Sequence, residues 1–336
     1  MNQNSKEFTN PCIAVIVPVH NGEAFLPDCL SAIEAQSFRD FSCIVVDDGS
    51  TDRSAALADG YEARDRRFVV LRQRQSGVAA ARAAGVRAGQ NLGARWFAFC
   101  DADDLYHPGF LQALYEAARS SGQQIACCRY DCFTGGIPAE APAPGETTIL
   151  QPPAHLDALL HDHNVDYGLW NKLYSAELMT PEVLDNGFSY NEDLLANWDL
   201  FRHAQGVAYL DFAGYHYRQH SDSASHRALP PESIDQQRQT AVYIREHASP
   251  EIQQSANAFY YEKLVYLSSM ILRRDDPTAY RVQINELWVG IRSGLKDPNL
   301  GRNPRLPLRI RIAAWATVHS PDLWRKVCRS LLKDRR

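Results

Sequence analysis

Acidic and polar residues gather at a few places in this 336-residue chain, each directly after an apolar run. Pro18-Val19-His20-Asn21 follows one run, Asp47-Asp48 a second and Asp101-Ala102-Asp103-Asp104 a third. An Asp-x-Asp at the end of a buried strand can hold Mg2+ or Mn2+, because adjacent carboxylates offer hard oxygen ligands while the cation neutralises a diphosphate. Aspartate is also common in turns and favours the start of a following helix, so one such cluster alone is equally well a turn. Three in order point to a site. A further acidic pair, Glu192-Asp193, opens a helix-forming stretch, where it either answers the helix dipole or supplies a base.

Such residues need strands to hold them, and the first half of the chain alternates short apolar runs with helical segments. That pattern gives a parallel sheet covered by helices on both faces. Strands are expected at Ile13 to Pro18, Ser42 to Val46, Phe68 to Arg72 and Trp96 to Cys100, with a fifth apolar run at Ile125 to Tyr130. Between them, Glu23 to Gln36 carries Phe25, Leu26, Cys29, Leu30 and Ile33 at helical spacing. A second helix starts near Asp52, capped by Ser50 or Thr51, an Ala-rich one spans about Gly77 to Gln90, and Pro108 opens another. The three clusters then share the carboxyl edge of the sheet, where open α/β sheets bind ligands.

Gly135 to Gly145 is rich in Pro, Gly and Ala and reads as a flexible loop, either a boundary or a flap. Beyond it a helix is expected over Glu192 to Ala204, two short strands turning at Gly214 over Val207 to Tyr217, and mainly helix from Pro231 onward. No internal repeat is evident.

The ordered segments "IAVIVPVHNGEAFLPDCLSAIEAQSF", "CIVVDDGSTDRS", "SGVAAARAAG" and "WFAFCDADD" resemble glycosyltransferase family 2, and cover roughly the first 115 residues. The resemblance implies a GT-A fold, a nucleotide-binding α/β domain with a central mostly parallel sheet flanked by helices. Here a helical C-terminal extension would follow, with a catalytic domain over 1–228 (donor half 11–132, acceptor half 146–225) and a helical region over 229–336. It also implies roles. Asp48 would bond the imide edge of a uracil or thymine, and Pro18 and His20 would line the base pocket, with Asn21 also binding the nucleotide sugar, although many members have Tyr where this chain has His20.

Arg82 would contact the nucleotide or order the aspartates, with Ala83 standing where the family usually has Asn. Asp103 would sit by ribose and metal, Asp104 would ligate the metal directly and Asp101 would support them. "YNEDLLANWDLF" resembles the family's Glu-Asp motif, making Asp193 the general base and Glu192 its orienting partner. "LWNKLYSAEL" resembles an acceptor-side stretch. "YHYRQHSDSAS" resembles one whose Arg218 and His220 reach the diphosphate or metal. The implied reaction is single-sugar transfer with inversion from a UDP-sugar or dTDP-sugar to a glycan or lipid-linked glycan acceptor, with Mn2+ or Mg2+, in cell-surface polysaccharide synthesis. The non-enzymatic alternative is an inactive nucleotide-sugar-binding scaffold.

Composition sets bounds on this reading. The net charge of -5 disfavours nucleic acid as a partner. The first eleven residues lack a signal-peptide pattern, and no run reaches the roughly 18 apolar residues of a membrane span, so a cytoplasmic location is expected. The eight cysteines fit buried thiols, and Cys127, Cys128 and Cys132 lack the paired spacing of a zinc site. A Rossmann dehydrogenase would need a GxGxxG that is absent, and a processive synthase would need membrane helices and a Gln-x-x-Arg-Trp motif. Between Arg302 and Arg336 ten Lys or Arg face two Asp, interleaved with Leu306, Leu308, Ile310, Ile312, Trp315, Leu323 and Trp324. Basic amphipathic helices of this kind either suit an anionic membrane surface, which would put the protein on the inner face of the cytoplasmic membrane, or pack their apolar faces on the catalytic domain and leave the charges to solvent.

Overall fold

The computed structural model describes residues 10–135, 145–161, 165–220, 230–274 and 276–331. Two compact units divide the chain, 1–226 and 227–336.

In the first unit, β1 (Ile13–Val19) and β2 (Phe41–Asp48) are almost wholly buried, as expected of near-continuous apolar runs in a sheet covered on both faces. β3 (Phe68–Gln73) and β4 (Trp96–Phe99) complete a parallel block in the order β3-β2-β1-β4. Its helices are α1 (Leu26–Glu34), α2 (Ser54–Arg64) and α3 (Val78–Asn91). α3 lies unusually close to the sheet because of two glycines. A Cβ at Gly85 would stand 2.5 Å from Ile16 Cγ2, and one at Gly89 2.6 Å from Phe97 Cε1.

The sheet continues as β8-β6-β9-β5, with pairings now mostly antiparallel. The elements are β5 (Leu105–Tyr106), α4 (Phe110–Ser121), β6 (Ile125–Phe133), β7 (Thr147–Leu150), α5 (Ala154–His161), β8 (Lys172–Ser175), α6 (Pro181–Leu184), α7 (Glu192–His203) and β9 (Val207–Arg218). β7 pairs with β9 off the main path, and β6 and β9 run parallel.

Three local expectations change. Val207 to Tyr217 is not a hairpin: β9 is one 12-residue strand, and Gly214 sits in an irregular stretch of its pairing with β6. Glycine is needed there for packing, since a Cβ would meet Phe212 Cε1 at 2.6 Å and Phe110 Cδ2 at 3.0 Å. α1 starts at Leu26 because residues 22–25 form a turn in which Gly22 O accepts from Phe25 and Leu26 N–H. α2 starts at Ser54 rather than near Asp52, because Ser50 and Thr51 bond Asn21 instead of capping a helix. Most of the Gly135 to Gly145 loop lies outside the described residues.

The second unit is helical: α8 (Pro231–Glu246), α9 (Gln253–Leu272), α10 (Arg281–Leu295), α11 (Pro298–Gly301), α12 (Leu308–His319) and α13 (Pro321–Leu331). Its core joins Ile234, Tyr261, Leu264, Ile271, Leu287, Ile291, Leu306 and Ala314. No helix among the described residues is long and apolar enough to cross a membrane.

Candidate active site

The carboxyl ends of β1, β2 and β4 lie side by side in the parallel register, Val19 opposite Asp47 and Ile16 opposite Phe99. This brings the three sequence clusters to one edge. The first two are stitched together. His20 Nδ1 lies 2.8 Å from Asp48 O, and Asn21, at φ 54°, accepts from Thr51 N–H at 2.8 Å and donates its own N–H to Ser50 Oγ. Pro18 is buried just behind them.

Asp48 is buried, and its carboxylate accepts from Gln73 Nε2 at 2.7 Å and from Ser76 and Gly77 N–H, both at 2.8 Å. It therefore pins the turn between β3 and α3. Gln75, which sequence reasoning did not single out, comes within 3.2 Å of His20 Nε2.

Arg82 on α3 is the hub of the acidic residues. One guanidinium nitrogen bonds Asp101 at 2.9 Å, and the other bonds Asp193 at 2.6 Å and reaches Glu192 at 3.6 Å. Asp193, 111 positions from Arg82 in sequence, is thus held by a side chain that is 4% exposed. Burial works against the Arg82 charge, but Asp193, Asp101 and Glu192 overcome it and raise its pKa above the ordinary arginine value. Of its two alternative expected roles, ordering the aspartates is the one this geometry displays.

Glu192 and Asp193 occupy the first turn of α7, where the helix dipole favours negative charge. Burial, then the neighbouring Asp193, pushes the Glu192 carboxyl up to about 7. Burial likewise raises Asp193, while Arg82 pulls it back.

The Asp101 to Asp104 turn separates its carboxylates. Asp103 is partly exposed, with Oδ2 3.0 Å from His220 Nε2. Asp104 points inward: Oδ1 accepts from Arg218 N–H and Oδ2 from Tyr215 O–H, both at 2.7 Å. Burial, then Asp101 and Asp103, pushes its carboxyl up to about 8. Asp104, expected to ligate the metal directly, has both its oxygens taken up inside the protein where β5 begins.

Arg218 is likewise engaged within the protein. Its Nε donates to Asp103 O at 2.8 Å, its Nη2 pairs with Asp28 at 3.0 Å, and its guanidinium lies between the Phe25 and Phe133 rings. It braces the turn rather than reaching outward.

Among the described residues no three His, Cys, Asp or Glu side chains form a preformed cation cage. Asp103 and His220 nevertheless fit a cation that takes its remaining ligands from diphosphate and water, as Mg2+ commonly does. His220 Nδ1 is buried with no hydrogen-bond partner, so the imidazole is anchored at Nε2 alone.

Sequence reasoning missed a buried polar group beside Asp193. Asn171, Lys172 and Asn197 are each 0% exposed. The available signal was two polar residues inside the apolar "LWNKLY" run, and an amide one helical turn after Asp193.

Residues 14–178 match the model of "Glycosyl transferase family 2". The chain contains a glycosyltransferase family 2 domain. This glycosyltransferase is 29% identical over 245 residues to the "Uncharacterized glycosyltransferase EpsJ" of Bacillus subtilis, a match covering 70% of each chain. Its fold is similar to that of S. aureus TarS 1-349 in complex with UDP-GlcNAc, with TM-score 0.68 and 16% identity over 96% of this chain and 91% of TarS 1-349. The mannosyltransferase PcManGT from Pyrobaculum calidifontis, in complex with GDP-Man and Mn2+, gives TM-score 0.54 and 13% identity over 97% of this chain and 88% of that one. The first unit of the glycosyltransferase thus has the nucleotide-sugar-binding GT-A fold, with its acidic residues at the sheet's carboxyl edge.

Proposed function

We propose that this glycosyltransferase moves a single sugar, with inversion, from a UDP-sugar or dTDP-sugar to a hydroxyl of a glycan or lipid-linked glycan in cell-surface polysaccharide synthesis. The observation that carries the reading is the bridge Arg82 makes between the Asp101 turn and Asp193, which ties the donor edge to a base.

Asp193 accepts the acceptor proton as the hydroxyl oxygen bonds the anomeric carbon from the face opposite the nucleotide. The bond from that carbon to the diphosphate oxygen breaks with its electron pair leaving on the diphosphate. Arg82 favours the charged form of Asp193 and aims it. His20, Asn21 and Gln75 line the place for the base, with Asp48 holding that surface together. Asp103 and His220 would hold Mn2+ or Mg2+, which when bound supplies positive charge to a departing diphosphate.

Release of UDP or dTDP from a panel of nucleotide sugars, with and without Mn2+, tests the activity. Absence of release from every donor returns the chain to the scaffold reading. Within that assay Asp103→Asn is expected to raise the Mn2+ concentration for half-maximal rate by about 10- to 100-fold, the cost of one lost charged ligand contact. Asp104→Asn is expected to leave that concentration within about twofold, because its oxygens serve Tyr215 and Arg218. The reverse ranking would restore Asp104 as the ligand.

For the helical unit we propose contact with an anionic membrane on the cytoplasmic side. α13 turns much of its basic and aromatic surface inward: Trp324 Nε1 donates to Ser269 Oγ, and Arg325 and Arg329 donate to Arg274 O near the end of α9. α12 does the opposite. Leu308, Ile312 and Trp315 are 70%, 57% and 55% exposed at a spacing of four and three, beside the exposed Arg302 and Arg309. An apolar stripe flanked by arginine matches a surface with acyl chains beneath phosphate. Replacing the three by serine should lower co-flotation with phosphatidylglycerol vesicles about tenfold or more. Undiminished flotation would remove the membrane from the proposal, and a changed oligomeric state would assign the stripe to a second copy.

A further inference from the structure

We propose that Tyr130 and Tyr217, propped by Trp170, form a stacking subsite for a pyranose ring of the acceptor, one whose substituents are equatorial. The inference deepens the reading of the chain as a sugar transferase and rests on it for the identity of the occupant.

Topology brings these rings to the site. β8 runs antiparallel to both β4 and β6, and β9 runs parallel to β6, so β4, β6 and β9 all point the same way. Tyr130, toward the end of β6, and Tyr217, toward the end of β9, therefore reach the same carboxyl edge as the Asp101 turn. In the sheet order the residues proposed to line the base lie on the side of β1 to β3, and the two tyrosines lie on the other side, past β8. The Asp101 to Asp104 turn, after β4, stands between them.

Contacts make the link direct. Tyr215 O–H donates to Asp104 Oδ2 at 2.7 Å, and the same oxygen accepts from Asp101 N–H at 3.2 Å. The Tyr215 ring stacks on Trp170, with centroids 4.5 Å apart and 29° between the planes. Trp170 in turn meets Tyr130 edge-on at 4.8 Å and 85°, and Tyr217 at 6.1 Å and 36°. Asp101 is the residue that Arg82 ties to Asp193. The aromatic group thus stands one residue away from the acidic hub.

Strand register decides which side chains share a face. Tyr130 pairs with Tyr215 and Cys132 with Tyr217, so these four lie on the Trp170 side, while Asp131 and His216, which pair with each other, face the opposite way. Tyr215 and Trp170 are 0% and 8% exposed, whereas Tyr130 and Tyr217 are half-buried and Cys132 is exposed. Core packing accounts for the first two rings. The two that reach solvent present aromatic surface across the aspartates from the edge proposed for the nucleotide, which is where in-line displacement requires the acceptor. A pyranose with equatorial substituents turns axial C–H hydrogens to its faces. Those hydrogens are drawn to the negative face of an aromatic ring, and the apolar patch they form leaves water on stacking.

Methyl β-glucopyranoside, whose ring substituents are all equatorial, is the probe, with UDP and Mn2+ present to fill the donor side. Saturation-transfer NMR on the full chain should show its axial ring hydrogens receiving more saturation than its methyl group. Tyr130→Ala and Tyr217→Ala should each weaken binding about 2- to 10-fold, the worth of one aromatic contact, and Tyr217→Phe should retain it. If the alanine variants do not fold, Tyr217→Leu keeps apolar packing on Trp170 without a π face and should be weakened in the same way. Cys132 supplies a readout that needs no substitution. The other cysteines are buried, so iodoacetamide should modify Cys132 first, and the glycoside should slow that alkylation severalfold.

Saturation transfer that persists undiminished in the alanine or leucine variants, or its absence in the wild type, overturns the proposal. If no donor releases its nucleotide and the glycoside still binds as described, the transfer reading falls and the sugar subsite stands.

Discussion

Asp193→Asn is expected to lower the transfer rate by about 10²- to 10⁴-fold, the usual contribution of a positioned general base. Affinity for UDP or dTDP with Mn2+ should stay within about twofold, because the edge proposed to bind the nucleotide, built on Asp48, His20 and Asp103, does not involve Asp193. The measurement is steady-state transfer beside nucleotide titration by calorimetry. Equal losses in rate and nucleotide affinity would show that Asp193 acts through the fold and not as a base. Stability gives an independent sign. Burial raises the Asp193 pKa, so ionising it opposes folding as pH rises above the unfolded value near 4. The neutral variant should therefore have a Tm at or above the wild type at pH 8, and the advantage should shrink on acidification.

Arg82→Met should do the reverse. It leaves Asp101, Glu192 and Asp193 crowded without their cation, and removing one partner of a buried charge cluster costs about 3–5 kcal/mol. For a unit of this size that corresponds to a fall in Tm of roughly 6–20 °C. The carboxylates can escape the penalty by protonating, so the folded variant binds protons that the unfolded chain releases. The deficit should then be largest near pH 8 and smallest near pH 5, as read by thermal unfolding across that range. Glu192, already pushed up to about 7 in the wild type, is the first group expected to take up a proton. A deficit independent of pH would mean that Arg82 stabilises by packing alone. Activity should be lost along with the cluster's geometry, whatever the pH.

Much of the site was legible because local rules write it into the chain. Apolar runs of five to seven residues that end in Asp or in His-Asn place those residues at strand ends, and α/β alternation brings the ends to one edge. The Glu192-Asp193 pair was visible as the start of an amphipathic segment. Gly214 misled for a physical reason: glycine marks a turn in sequence, but here its missing side chain makes room for Phe110 and Phe212 within a continuous strand. The Asp103 and Asp104 roles were likewise unresolvable from adjacency, since neighbouring residues at a turn can face opposite ways.

The sequence by itself thus determined the α/β class, the family, the edge that carries the site and the acidic residues gathered there. It did so because strand burial, helix periodicity and turn chemistry act over a few residues at a time. The tertiary structure decided which groups meet. Arg82 joins Asp101 to Asp193, and Tyr215 and Arg218 draw Asp104 inward. These pairings depend on long-range packing, on α3 settling against β1 through Gly85 and Gly89 and on β9 crossing beside β6. No window of sequence contains both partners.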